Sequence, residues 1–188
     1  MGAGPPARAH GAELEGVDRA RRAPLERLNA EEESRARENS RAVPRARLTK
    51  SLRSRIAADP FARRLGIELV TLRPGYSRVR LALDPSMVNF HGIVHGGVVF
   101  SLADAAFAAA SNAHGDPAVA LAMSIQFFEV PLAGSRLIAE AREERLGHRA
   151  GFYAMTVTDG DGRTVARCQG VVHRRPGQGR QRSREPAR

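Results

Sequence analysis

The 188-residue sequence contains a single cysteine, Cys168, which excludes an intramolecular disulfide and fits a reducing compartment. Because Cys168 lies in an alternating apolar and polar run, we interpret it as a buried strand residue rather than a nucleophile. No apolar stretch reaches the 18 residues typical of a membrane-spanning helix, and the N-terminus lacks the short apolar run of a secretory signal. We therefore expect a cytoplasmic protein without a membrane partner.

Basic residues outnumber acidic ones by ten, but the excess lies at the two ends of the chain. Residues 1–58 carry a net charge of +5, residues 59–173 carry 0, and residues 174–188 carry +5. Binding to nucleic acid through a folded domain would need a basic excess in the middle region. We predict one domain at 59–173 and no nucleic-acid partner, with a disordered or weakly helical N-terminal extension (1–58) and a disordered Arg-rich tail (174–188).

Hydrophobic periodicity predicts an α+β domain between these extensions. The expected strands cover residues 65–72, 76–83, 118–130, 136–146, 151–158 and 164–173. One strong helix, rich in alanine, is expected at 96–112. A lone helix needs a sheet around it, so the order of two strands, one helix and four strands predicts a sheet that packs against this helix.

The segment that leads into the helix combines glycines with polar side chains, and it includes Asn89, His95, Gly96 and Gly97. A helix N-terminus offers free N–H groups, and glycines there let a substrate approach the backbone closely. Such a site can stabilise an oxyanion. Close packing of the helix on the sheet would explain the same glycines equally well.

Asp104 is an acid inside an otherwise apolar helix, and no Lys or Arg stands three or four residues away from it. Such a residue is exposed, paired with a partner in the fold, or functional. His91 and His95 also raise the possibility of a metal site. They lie on a loop interrupted by glycine and have no clear third ligand, so we predict no metal.

The run Asn89 … His95-Gly96-Gly97 … Leu102-Ala103-Asp104 resembles the signature of the phenylacetate-degradation branch of the hotdog thioesterases. The start of the predicted domain, at residues 59–67, is also similar to the usual start of that family, and the resemblance covers 59–173. It implies a long helix wrapped by a curved antiparallel sheet, dimers that join their sheets, and often dimers of dimers. It further implies hydrolysis of acyl-CoA, for example (hydroxy)phenylacetyl-CoA, with no metal or organic cofactor.

The resemblance also implies roles for individual residues. Asp104 would be the general base or nucleophile, and Gly96 would supply the N–H that binds the oxyanion. Asn89 would hold the water or the thioester carbonyl, while His95 would support Asn89 or the thioester. Phe90 departs from the family pattern, because a small residue is common at that position. We expect Phe90 to narrow the acyl pocket.

Helix geometry gives a separate argument for a dimer. Gly96 and Asp104 are eight residues apart, which corresponds to roughly 12 Å along a helix and about 80° of rotation. One thioester carbonyl can hardly contact both residues on the same helix. A symmetric dimer in which Gly96 of one chain faces Asp104 of the other solves this, and it predicts two shared active sites.

Coenzyme A leaves a weaker signal in the sequence. The resemblance implies that the pantetheine arm runs beside the strand that holds Ser124 and Gln126. Gly97 is a further candidate for binding the substrate or CoA. The candidate partners of the phosphates are His148, Arg149, Arg174 and Arg175. We interpret Glu143 and Glu144 as strand-face charges without a role.

Two other functions compete with a thioesterase. A hotdog acyl-CoA hydratase or dehydratase would need a His and an acid placed for proton abstraction, and it would show a proline-rich loop that this sequence lacks. A non-catalytic acyl-CoA-binding regulator would need a DNA-binding unit in the N-terminal arm. Residues 1–58 contain too few apolar residues to form the core of such a unit.

Overall fold

The computed structural model describes residues 48–177. Most of the two predicted extensions, at residues 1–47 and 178–188, lies outside the described residues. The described chain contains three helices and six strands. The elements are α1 (Lys50–Ala57), α2 (Pro60–Leu65), β1 (Glu68–Arg73), β2 (Tyr76–Ala82), α3 (Gly96–Asn112), β3 (Ala118–Phe127), β4 (Arg136–Leu146), β5 (Ala150–Asp159) and β6 (Thr164–Arg174).

The six strands form one antiparallel sheet in the order β1-β2-β4-β5-β6-β3. β1 and β3 are therefore its edges. Helix α3 contacts all six strands, as expected for a helix that the sheet wraps. The predicted α+β class and the helix at 96–112 are confirmed, but β2 ends one residue and β3 three residues earlier than expected.

The core is the interface between α3 and the concave face of the sheet. Leu102 and Phe107 of the helix are at most 1% exposed, and they pack in one apolar cluster with Val79 and Leu81 of β2. Cys168 of β6 belongs to the same cluster, which confirms its interpretation as a buried strand residue. Burial raises the pKa of this thiol to about 11, so it stays protonated at neutral pH.

Gly170 sets how closely the sheet approaches the helix. A Cβ at this position would lie 2.7 Å from the ring of Phe107, which is itself 1% exposed. Ser77 also joins the sheet to the helix, because its buried hydroxyl donates to the Ala106 carbonyl at 2.6 Å. The contact with Phe107 therefore requires a residue without a side chain at position 170, and the hydrogen bond to Ala106 requires a small polar side chain at position 77.

We expect Gly170→Ala to lower the free energy of unfolding by about 1–3 kcal/mol, the usual cost of overpacking a core. Urea denaturation at one fixed protein concentration measures this change. Gly160→Ala is the control, because the nearest atom to its Cβ would be 3.9 Å away. This control should change stability by no more than about 0.5 kcal/mol. Equal free energies of unfolding in the two variants would show that Phe107 can move aside without loss of stability.

The predicted strand at 65–72 was wrong at its beginning. Helix α2 occupies the start of that range, because the Asp59 carboxylate accepts from Ala62 N–H at 2.8 Å and proline occupies the first helical turn. Gly66 ends α2 with a φ of 78°, and β1 begins only at Glu68.

Helix α1 lies within the segment predicted as an extension. Thr49 caps its N-terminus, and Leu52 is 9% exposed. Leu48 and Ile56 pack against a small buried cluster formed by Leu72, Ala109 and Ala113. Regular structure therefore begins ahead of the predicted boundary at residue 59.

A buried polar network stands beyond the C-terminal end of α3. His114 Nε2 lies 2.5 Å from a Glu143 oxygen, and the Tyr153 hydroxyl donates to the same oxygen at 2.9 Å. Burial alone would raise the pKa of Glu143, but the hydrogen bonds to His114 and Tyr153 outweigh it and lower this pKa. The interpretation of Glu143 as a strand-face charge without a role was wrong, because its carboxylate joins β4, β5 and the end of α3.

Candidate active site

Asp104 lies at a cavity of about 450 Å³ formed by one face of α3, the helices α1 and α2, and the start of the sheet. Most of the lining is apolar, with Leu52, Ile56 and Leu69 among its side chains. The side chain of Asp104 has no hydrogen-bond or ion-pair partner among residues 48–177. A carboxylate in such a place is available to a ligand.

Two effects raise the pKa of Asp104 above its ordinary value. The larger is desolvation, since the carboxyl is half-buried, and the second is the negative charge of Asp59. Both residues line the same cavity. A raised pKa makes the ionised carboxylate a stronger base.

The loop that leads into α3 folds back on itself and leaves one side-chain donor free. Asn89 N–H donates to the Ile93 carbonyl, and Gly92, with a φ of 75°, closes the turn by donating to the Asn89 carbonyl. Asn89 Oδ1 accepts from His91 N–H at 2.9 Å. Within the described chain, the side-chain NH₂ of Asn89 therefore keeps both protons for a ligand.

His95 is the N-cap of α3. Its Nδ1 accepts from Gly97 N–H at 2.9 Å, so the ring proton is on Nε2 and the exposed edge of the ring is a donor. A Cβ at Gly97 would lie 3.0 Å from Nδ1, which explains the glycine. The predicted support of Asn89 or the thioester by His95 would therefore have to use Nε2, because Nδ1 is engaged by the helix.

Gly96 is the first residue of α3, and its N–H has no acceptor in the described part of the chain. It stands at the positive end of the helix dipole, where a developing oxyanion is stabilised. Gly96 and Asp104 lie on one unbroken helix. The calculated separation of roughly 12 Å along the axis therefore applies to this chain.

Phe90 does not line the cavity beside Asp104 of its own chain. Its side chain is 92% exposed, and its ring contacts that of His91 at a tilt of 46°, with the centroids 4.0 Å apart. An effect of Phe90 on the acyl pocket would therefore have to reach a second chain.

The residues predicted for coenzyme A lie at two different places on the sheet. Ser124 and Gln126 are exposed on the edge strand β3, opposite Gln169 and Arg167 of β6. His148 and Arg149 are exposed in the turn between β4 and β5, next to the far end of α3. Within one chain this turn is remote from Gly96.

Arg174 is a correction to the predicted phosphate partners. It is 1% exposed, and its guanidinium donates to the Gly147 carbonyl at 2.9 Å and to Asp116 at 3.3 Å. A buried and paired arginine is not available to a phosphate in solvent. Arg175, by contrast, is exposed.

Among residues 48–177, no group of three or more His, Cys, Asp or Glu side chains is placed to hold a metal ion. Within the same range, no helix is both long and apolar enough to cross a membrane.

Comparison with known proteins identifies the family. Residues 91–166 match the thioesterase superfamily. Acyl-coenzyme A thioesterase PaaI of Escherichia coli K12 is 38% identical over 116 residues, which cover 62% of this chain and 83% of that protein. The chain belongs to the thioesterase superfamily. A putative esterase of Archaeoglobus fulgidus is 35% identical over 116 residues, 62% of this chain and 75% of that protein.

Solved structures confirm the hotdog thioesterase fold. The E. coli PaaI protein, from the phenylacetic acid degradation operon, has a TM-score of 0.64 at 36% identity and covers 66% of this chain and 91% of that one. The TT0310 protein of Thermus thermophilus has a TM-score of 0.60 at 40% identity, covering 62% and 98%. A Streptococcus mutans UA159 protein bound to acetyl CoA has a TM-score of 0.56 at 25% identity, covering 58% and 88%.

The predicted enzyme class, a thioester hydrolase, is confirmed as well. The cavity of the enzyme contains residues that the sequence did not single out for the site, among them Asp59, Phe61 and Ser101. Asp59 and Phe61 had been noted only as the start of the domain. The signal that could have pointed to them is the helix start at Asp59-Pro60, which turns the next side chains toward α3.

Proposed function

We propose that this enzyme hydrolyses acyl-CoA thioesters, and arylacetyl-CoA such as (hydroxy)phenylacetyl-CoA in particular, to the free acid and CoA. The observation that carries the proposal is the unpaired, half-buried Asp104 in an otherwise largely apolar cavity, on a helix whose first N–H is free. The acyl-CoA thioesterase PaaI of E. coli and the acetyl CoA bound by the S. mutans neighbour support the substrate class.

In the proposed reaction Asp104 acts as the general base or as the nucleophile. As a base it takes a proton from water, whose oxygen forms a bond to the thioester carbonyl carbon. The carbonyl oxygen becomes an oxyanion that the Gly96 N–H stabilises at the start of α3. The C–S bond then breaks, and the proton held by Asp104 passes to the sulfur of CoA.

The loop before α3 would position the reactants. Asn89 has a free amide donor for the water or the carbonyl, and the His95 Nε2–H is a second donor aimed out of the helix N-terminus. Gly97 adds no side chain beside these donors, so the thioester can come close to the backbone.

We further propose that each site is shared by two chains of a homodimer, which would pair again into a dimer of dimers. The spacing of Gly96 and Asp104 calculated above supports the contribution of a second chain to each site. Edge strand β3 supports this arrangement, because one side of it is unpaired and its exposed side chains are largely apolar. The exposed apolar residues in and just after β3 are Val119, Leu121, Phe127, Phe128, Val130 and Leu132. Strand edges of this kind pair readily with another copy.

Joining two chains at β3 would also bring the residues predicted to bind CoA in one chain near those in the other. We propose that the pantetheine arm runs beside Ser124 and Gln126, and that His148, Arg149 and Arg175 are candidate partners of the phosphates. All five are exposed or at a strand edge. Arginines exposed in this way bind phosphate without the cost of breaking a buried pair.

A panel of acyl-CoA thioesters tests the proposed function through release of the CoA thiol. We expect phenylacetyl-CoA and hydroxyphenylacetyl-CoA to have the highest kcat/KM and acetyl-CoA to have a much lower one. Hydration of crotonyl-CoA without thiol release would instead indicate a hydratase, and binding without turnover of any thioester would indicate a regulator.

The raised pKa of Asp104 predicts the pH dependence of the reaction. The acid must be ionised to act, so kcat/KM should rise with pH through a pKa above the ordinary aspartate value. Asp59→Asn removes the neighbouring negative charge, and asparagine caps a helix as well as aspartate does. We therefore expect the acidic limb of the kcat/KM profile to move to lower pH, with the melting temperature kept.

Asp161→Asn is the control for this shift, because Asp161 is exposed in the turn between β5 and β6 and does not line the cavity. This variant should leave the acidic limb in place. If the acidic limb of the kcat/KM profile stays in place in Asp59→Asn as well, the charge of Asp59 does not act on the pKa of the catalytic acid.

A further inference from the structure

The N-terminal helices α1 and α2 form one wall of the cavity beside Asp104. Leu52 and Ile56 of α1 and Phe61 of α2 present apolar side chains to it. Both helices are capped at their N-termini, by Thr49 and Asp59, and α1 packs on the fold through Ile56, which contacts the buried cluster of Leu72, Ala109 and Ala113. The wall is therefore a formed part of the fold before any ligand arrives.

The opposite wall is a strip of small residues on α3. Ala108 follows Asp104 by four residues and Ala109 follows Ala105 by four, so these residues form two adjacent rows on α3, and all of them line the cavity. Because methyl groups replace longer side chains here, an open path runs along α3 from the carboxylate toward its C-terminal end. A group attached to a carbonyl held near Asp104 would extend between these alanines and the N-terminal helices.

Phe61 is the largest apolar side chain on the N-terminal wall, and it is 61% exposed although it lines an apolar cavity. Its backbone is fixed by the cap at Asp59 and by the hydrogen bond from Ile67 N–H to the Ala62 carbonyl. The ring thus stands at the cavity with much of its surface free. An apolar ligand would cover it and remove that surface from water.

We propose that Phe61 contacts the acyl group of the substrate and sets the preference for apolar acyl groups larger than acetyl. The proposal rests on the acyl-CoA thioesterase function proposed above. It names the N-terminal helices, rather than Phe90, as the part of the chain that selects the acyl group. Aryl groups gain most, because two rings in contact attract each other beyond the area that they bury.

The test compares Phe61→Ala and Phe61→Leu with the wild type on acetyl-CoA, octanoyl-CoA and phenylacetyl-CoA. We expect Phe61→Ala to lower kcat/KM for phenylacetyl-CoA about tenfold and for octanoyl-CoA by a smaller factor, within the range by which hydrophobic pockets discriminate. Acetyl-CoA should change less than twofold, because its methyl group is too short to reach the ring. Phe61→Leu should recover octanoyl-CoA more fully than phenylacetyl-CoA.

Two further variants make the comparison specific. Phe152→Ala removes a ring that is 46% exposed on β5, away from the cavity, and it should leave the substrate ranking unchanged. Phe90→Gly tests the other candidate for the acyl pocket. If Phe90→Gly changes the ranking and Phe61→Ala does not, the proposal is overturned in favour of the loop before α3.

A binding measurement separates this proposal from the proposed function. S-phenacyl-CoA is a thioether with an aryl group and cannot be hydrolysed, so calorimetry compares its Kd with that of CoA alone. We expect Phe61→Ala to weaken S-phenacyl-CoA about tenfold and to leave CoA unchanged, even if the wild type hydrolyses none of the thioesters. Equal losses for both ligands, or none for either, would contradict a contact between Phe61 and the acyl group.

Discussion

Replacing Asp104 with asparagine is expected to lower kcat by on the order of 10²–10⁴, the usual contribution of a general base. Asparagine keeps the shape of the side chain but cannot accept the proton of water at neutral pH. Substrate binding should change little, so most of the loss should appear in kcat rather than KM. Steady-state thiol release with phenylacetyl-CoA measures both constants.

Thermal unfolding of the same variant distinguishes a catalytic carboxylate from a structural one. Burial raises the pKa of Asp104, which means that its ionised form is disfavoured by the fold at neutral pH. A neutral asparagine removes that cost, so the melting temperature should stay the same or rise. A fall in melting temperature together with full kcat would contradict the proposed role.

Asp116→Asn is the control with the opposite expectation. Asp116 pairs with the buried Arg174, so removal of its charge deprives a buried guanidinium of its ion-pair partner. This variant should melt at a lower temperature and keep kcat. Replacement of Asp104 should therefore change kcat, and replacement of Asp116 should change the melting temperature. Measuring both quantities for both variants distinguishes the two roles.

The sequence predicted α3 and its first turn well because the signals there are local. Alanine content marks the helix, and its bounds at Gly96 and Asn112 agree with the structure. The role of His95 as a cap was not predicted, although it follows from the same principle of free N–H groups at a helix start. The resemblance to the hotdog thioesterases had suggested a role for His95 in supporting Asn89 or the thioester instead.

The N-terminal wall of the cavity was missed because it is built from short elements. Helix α2 has six residues, too few to show helical periodicity, and its last residue was assigned to the predicted strand at 65–72. The contribution of Leu52 and Phe61 depends on where α1 and α2 pack against α3. That packing is tertiary, so residue types alone did not reveal it.

Burial of charged residues was the other error, and its cause is distance along the chain. Arg174 bonds to groups 27 and 58 residues away, and Glu143 bonds to His114 across 29 residues. Each residue looks ordinary in its own strand, where an exposed charge is the usual outcome. Only the meeting of β4, β6 and the end of α3 makes their burial possible.

Mixing two inactive variants, Asp104→Asn and Gly96→Pro, is expected to restore activity if each site takes Gly96 from one chain and Asp104 from the other. Proline at 96 removes the oxyanion N–H, and it fits the backbone there. The preceding His95 is extended, with a ψ of 129°, which is the conformation that proline requires of its neighbour. The same arrangement occurs at Asp59-Pro60, where proline also opens a helix.

Subunit exchange between these variants makes heterodimers in which one site carries both lesions and the other carries neither. At equal mixing about half of the dimers are mixed, and each has one intact site. About a quarter of the wild-type activity should therefore return, measured per total enzyme after native mass spectrometry has verified the exchange. Each variant alone should stay inactive under the same conditions.

A second mixture predicts a loss of activity instead of a gain, so it controls for activity that returns for other reasons. The double variant, with Asp104→Asn and Gly96→Pro in one chain, is mixed with an equal amount of wild type. In shared sites every heterodimer site has one lesion, so only wild-type dimers work, and activity falls from half to about a quarter of the value for wild type alone. Sites contained within one chain would leave it at half. That result, together with no recovery in the first mixture, would show that Gly96 and Asp104 do not meet across a dimer.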